Sequence, residues 1–173
     1  MNRALLFTAA LIAAALFHLI GVRVVAEWSL ILDLMLIVVV FNALDGNTLA
    51  GMIGGLVAGW TTDVLVGPAF GIFGLVDTVI GYGAAYAAQR IVIQRPAGTA
   101  LFFALVVACQ QSLVLVLSLL LLNDPQIPAF HWLLMKAGST GLVGAVVLYL
   151  RNRFTSQVDL WRHTRPTRIR LEK

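Results

Sequence analysis

Six apolar runs leave this chain one kind of place to fold. They extend from Ala4 to Gly21, Trp28 to Leu44, Thr48 to Val66, Ala69 to Ala88, Ala100 to Leu122 and Trp132 to Leu150. Each is close to the roughly 17 to 25 residues with which an α-helix crosses a ~30 Å hydrocarbon core. Lipid offers no partner to backbone N–H and C=O groups, so runs of this length must be helical to bond internally. Only 12 % of the 173 residues are charged and the mean hydropathy is +0.93, whereas a soluble domain carries about 25 % charged residues. The expectation is an all-α, polytopic membrane protein with six transmembrane helices in one domain over 1–150, with spans near 4–21, 28–44, 48–66, 69–88, 100–122 and 132–150. A polar, basic tail follows over 151–173.

The breaks between runs have local causes. Arg23 and Glu27 interrupt the first pair, Asp45-Gly46-Asn47 and Gly67-Pro68 make turns, and Asn123-Asp124-Pro125 ends the fifth run. The first run exceeds the ~7 to 15 apolar residues of a signal peptide, which argues against cleavage near Val24-Val25-Ala26. With the N-terminus in the cytoplasm, Arg3, Arg90, Arg95 and seven tail residues face inward, against Arg23 and Lys136 outside. The positive-inside rule therefore puts both termini in the cytoplasm. Topology also accounts for the net charge of +4, and no nucleic-acid partner is expected. The tail arginines Arg162, Arg165, Arg168 and Arg170, with Trp161 as an interfacial anchor, suit a segment held at anionic lipid.

Charges inside the runs are the next constraint. With both termini inside, His18, Asp33, Asp63 and Lys136 fall near the outer ends of their helices, and Asp77 lies about 12 Å deep at ~1.5 Å per residue. Ionisable groups in lipid are expensive and mark function or internal pairing. Two uses fit this cluster: an outward cavity or docking site, or a set of hydrogen bonds with one ion pair between Lys136 and an aspartate. Gly51, Gly55 and Gly59 repeat every four residues up to Asp63, and Gly71 and Gly74 open the next run beside Asp77. Small residues at this spacing let helices approach closely, so these two stripes are partner-binding or helix-packing faces. Gln110, Gln111 and Ser112 read as hydrogen-bonding glue between helices, and Cys109, without an intrachain partner, as a small core residue.

Catalytic chemistry has little to build on. The chain has no His-Glu-x-x-His, Gly-x-Ser-x-Gly or Gly-x-x-x-x-Gly-Lys motif. Asp77 lies in Gly-Leu-Val-Asp, not in the Gly-x-Gly-Asp of intramembrane aspartyl proteases. No catalytic residue, metal or cofactor is expected.

The segment Gly51 to Arg90, with Gly55-x-x-x-Gly59-x-x-x-Asp63, Gly67-Pro68, Gly71, Gly74 and Tyr86, resembles the central signature of MreD, the rod shape-determining membrane protein family. Chain length, the acid in Leu32-Asp33-Leu34 and the basic C-terminus fit as well. Leu32 stands where the family often has proline, which removes that cause for a helix break, so Trp28 to Leu44 reads as one span. The resemblance implies a non-enzymatic component of the cell-elongation machinery in the bacterial cytoplasmic membrane. It implies direct association with MreC and, through it, with the RodA glycosyltransferase, a class B penicillin-binding transpeptidase and MreB. The family's fold is similar to the S-components of energy-coupling factor transporters. The alternative is thus an S-component that captures a vitamin-type small molecule.

Overall fold

The structure is a computed structural model that describes residues 3–25, 27–44, 47–66, 69–90, 96–122 and 129–163, with side chains of the last segment described to residue 150. Among these residues the chain is helical throughout, without strands. The helices are α1 (Arg3–Val24), α2 (Trp28–Ile31), α3 (Leu34–Ala43), α4 (Thr48–Val66), α5 (Ile72–Arg90), α6 (Pro96–Leu121) and α7 (Phe130–His163). Four stretches are long and apolar enough to cross a membrane: Ala4–Val24, Thr48–Val66, Gly98–Leu121 and Phe130–Leu150. The α5 helix matches α4 in length at 19 residues but is less apolar. The turns at Asp45-Gly46, Gly67-Pro68 and Asn123-Asp124-Pro125 lie outside the described residues, as do Arg165, Arg168 and Arg170; Arg162 falls within α7.

Helix ends follow from the residues at them. The Asn47 side chain accepts from the Ala50 N–H at 3.2 Å and caps α4. Pro96 opens α6, where its missing N–H costs nothing. The α7 helix does not stop where the polar tail begins but continues to His163.

The second span is not continuous, which corrects the expectation for Trp28 to Leu44. Leu32 is extended (φ −140°, ψ 133°) and Asp33 is also non-helical (φ −111°, ψ 87°), separating α2 from α3. Proline is not needed, because Asp33 supplies the break itself. Its carboxylate accepts the Leu36 N–H at 3.0 Å as the cap of α3, and its own N–H donates to the Thr140 hydroxyl at 3.2 Å. The Ser139 hydroxyl donates to the Ile31 carbonyl, so α7 also takes up the end of α2.

Packing divides the molecule into two tight pairs, α4 with α5 and α6 with α7, with α3 in the centre. The core joins Leu36 and Val40 of α3, Val76 of α5, and Phe103 and Val107 of α6, all buried. Gly51, Gly55 and Gly59 form the α4 face that lies on α5. A methyl group at Gly55 would collide with the Asp77 carbonyl, and methyls at Gly51 and Gly59 with the Gly81 and Phe73 carbonyls. Cys109 is exposed on α6 rather than in the core, and Ser112, also exposed, bonds its own helix at the Ala108 carbonyl.

Replacing Gly55 by leucine forces the α4–α5 backbones apart, a cost of about 1–3 kcal/mol or more for overpacking. Gly83, with open space around it, is the control. In thermal unfolding of the detergent-purified protein, Gly55→Leu is expected to lower Tm clearly and Gly83→Leu to leave it unchanged. Equal Tm values for the two variants would contradict the packing.

Candidate functional site

Every ionisable residue expected in the outer half is buried: His18 at 7 % exposure, Asp33 at 6 %, Asp63 at 6 %, Asp77 at 0 % and Lys136 at 8 %. The structure brings them into two groups, because the helices that carry them belong to different contacts.

The first group is the α4–α5 hairpin. Asp63 sits one turn from the end of α4 and aims at the start of α5, where N–H groups have no intrahelical acceptor. Its Oδ2 accepts from the Gly71 N–H at 3.0 Å and the Gly74 N–H at 2.9 Å, and its Oδ1 from the Phe73 N–H at 2.9 Å. Negative charge there also meets the positive end of the α5 dipole. Gly71 turns into the helix with φ +104°, a conformation side chains rarely adopt. Asp63 is therefore a cap supplied across the hairpin.

The second group lies between α3, α5, α6 and α7. Lys136 Nζ is 3.0 Å from Asp33 Oδ2, and this ion pair joins residues about a hundred positions apart. Deeper in, the Gln110 amide donates to Asp77 Oδ1 at 2.7 Å and also interacts with Asp33, so Gln110 lies between the two acids. Asp77 Oδ2 has no partner among the described residues. The His18 Nε2 is likewise buried without one. Gln111 reaches the Gln110 side-chain oxygen only at 3.5 Å.

Thr140 was not legible as a site residue, although it lies four positions after Lys136 and so on the same face of α7. Its complete burial and its bond to the Asp33 N–H make it part of the layer. The three N–H donors to Asp63 carry no side-chain signal in any sequence.

Two concavities adjoin these groups. One, of about 520 Å³, opens beside the ion pair and is lined among others by His18, Asp33, Thr62, Gln111, Ser118 and Lys136. The other, of about 700 Å³, is an open groove along α6 and α7 lined by small and apolar residues including Ala100, Ala104, Gly138, Gly141 and Ala145. No group of three or more His, Cys, Asp or Glu among the described residues is placed to hold a metal ion.

The fold and site define an all-helical membrane protein whose membrane-depth charges are satisfied mainly by one another and by helix ends. The family model for the rod shape-determining protein MreD matches residues 1–150, and the chain belongs to that family. It is accordingly an inner-membrane protein with a role in rod shape determination, and its family is one of structural shape-determining proteins, not a known family of enzymes. No curated protein and no solved structure matches the chain.

Removing the Asp63 carboxylate orphans three N–H groups, and each buried donor left unsatisfied costs about 1–3 kcal/mol. Asp63→Ala is expected to lower thermal stability markedly, whereas Asp63→Asn, which keeps one acceptor oxygen, falls between it and wild type. The order is checked by unfolding in detergent. Wild-type stability for Asp63→Ala would dismiss the cap.

Proposed function

We propose that this chain is a non-enzymatic scaffold of the bacterial cell-elongation complex. In this reading it binds MreC directly and supports peptidoglycan synthesis and cell-shape control with RodA, a class B penicillin-binding transpeptidase and MreB. It crosses the membrane six times, through α1, the broken α2–α3 unit, α4, α5, α6 and α7. Both termini are cytoplasmic, and the basic tail with Arg162, Arg165, Arg168 and Arg170 lies at anionic lipid.

One observation carries the reading: the face of Gly51, Gly55 and Gly59 is already occupied by α5, while the α6–α7 groove is lined by small and apolar residues with no helix of the described residues in it. Lipid tails are as apolar as leucine, so helices associate in membranes by close van der Waals packing at small residues. The groove therefore suits the single transmembrane helix of MreC better than the glycine stripe does. Asp63 and the Asp33–Lys136 pair contribute indirectly, by holding the bundle in the shape that presents the groove. A second reading, an S-component that captures a vitamin-type molecule, draws on the cavity of about 520 Å³, whose wall includes one phenyl ring, Phe73, and one amide, Gln111.

Gly138 is exposed, and a side chain there meets open space, so leucine fills the groove without disturbing the fold. Copurification of MreC with the Gly138→Leu variant is expected to fall to a small fraction of wild type, while the Gly83→Leu protein retains it. Undiminished MreC with Gly138→Leu would remove the groove from the interface. A ligand-specific rise in Tm with a vitamin would favour the second reading.

A further inference from the structure

The cavity beside the ion pair is built differently from the rest of the molecule. Among the described residues, α1 and α4 make no substantial contact with α6 or α7. The cavity occupies the space where these two halves part. At about 520 Å³ it falls within the roughly 300–1,000 Å³ typical of small-molecule sites.

Its chemistry is specific. Asp33 and Lys136 both stand on its wall, and their charges cancel. A carboxylate accepts at about four positions and an ammonium donates three hydrogen bonds. Asp33 has three partners, Lys136, the Leu36 N–H and Gln110, and Lys136 has Asp33 as its ion-pair partner, so about one acceptor position on Asp33 and two donor positions on Lys136 remain. His18 also lines the cavity, 7 % exposed, with Nε2 lacking any partner among the described residues. With Nε2 itself closed off, the imidazole meets the cavity through its other ring atoms. Hydroxyls of Thr62 and Ser118 and the Gln111 amide add further polar positions, while Leu30, Leu65, Val66 and Leu122 make much of the remaining wall apolar.

We propose that this cavity binds the zwitterionic head of an amphiphile, its ammonium against Asp33, its anionic group against Lys136 and His18, and its alkyl part along the leucines. A net anion would have to face Asp33 and a net cation Lys136; a zwitterion meets both with opposite charge. The apolar wall favours a head that carries a chain over a wholly polar solute. Zwitterionic phospholipid and a free zwitterion of the same head share this chemistry. The inference stands apart from the scaffold reading, since the cavity and the α6–α7 groove are lined by different residues.

The test is native mass spectrometry of the full chain in detergent with phosphatidylethanolamine, phosphatidylglycerol or soluble glycerophosphoethanolamine, a phosphodiester zwitterion, added. Wild type is expected to retain phosphatidylethanolamine with ~tenfold or greater preference over the anionic lipid, a difference of about 1.4 kcal/mol or more. His18→Leu and Ser118→Leu, which leave the ion pair in place, are expected to weaken retention by a similar factor, and Gly138→Leu in the other groove to leave it unchanged. Competition by glycerophosphoethanolamine would show that the head alone suffices, and its failure that the chain is required; both support the site. Equal retention of the two lipids, retention of neither, or wild-type retention by a folded His18→Leu or Ser118→Leu protein would overturn it. The lipid preference of wild type decides the matter even if both variants fail to fold.

Discussion

The Asp33–Lys136 ion pair is the contact on which the bundle is arranged. A charge taken out of water is tolerable only with an opposite charge and further hydrogen bonds around it. Here the need is met by bringing α7 to α3. That approach breaks the second span at Leu32–Asp33, places Thr140 on the freed Asp33 N–H and sets Ser139 on the end of α2. The backbone pays for its lost helical bonds with side chains from across the bundle. Gln110, reaching Asp77 from the same layer, extends the arrangement into α5 and α6.

The hairpin solves the same problem by another route. Asp63 has no cation within ion-pair distance among the described residues, but three backbone donors converge on it at 2.9–3.0 Å. Glycines then let α4 and α5 lie backbone to backbone. The result is a rigid unit whose polar groups face inward and whose outer surface is apolar. Such a molecule offers lipid and partner helices shape rather than charge, which is the property a membrane scaffold needs. Cavity and groove are two places where that shape is concave.

Much of this was legible in the sequence. Helix positions follow from the apolar runs, since length and the absence of water leave the backbone no other option. An ion pair of Lys136 with an aspartate, and a hairpin led by glycine toward Asp63, were also readable from depth and spacing. Less local features were not. The break at Leu32–Asp33 has no proline or glycine to announce it, because Asp33 makes it by capping α3 while its other partners, Lys136 and Thr140, come from far along the chain. The exposure of Cys109 was hidden for a different reason: in lipid, buried and outward faces are equally apolar, so hydrophobic periodicity carries little signal about which side packs. The α5 helix shows the converse. Its modest apolarity reflects Asp77 and the small residues it commits to α4, not exposure to water.

The central claim is that membrane-depth charge in this protein is structural, held by mutual pairing. A double-mutant cycle over Asp33→Asn and Lys136→Met tests it most directly, because asparagine preserves the helix cap and isolates the charge. Breaking a buried pair on one side typically costs about 3–5 kcal/mol, whereas removing both charges costs far less. The account predicts two strongly destabilised single variants and a double variant more stable than the simple sum, read from unfolding in detergent. Singles that unfold like wild type, or losses that add without coupling, would contradict it.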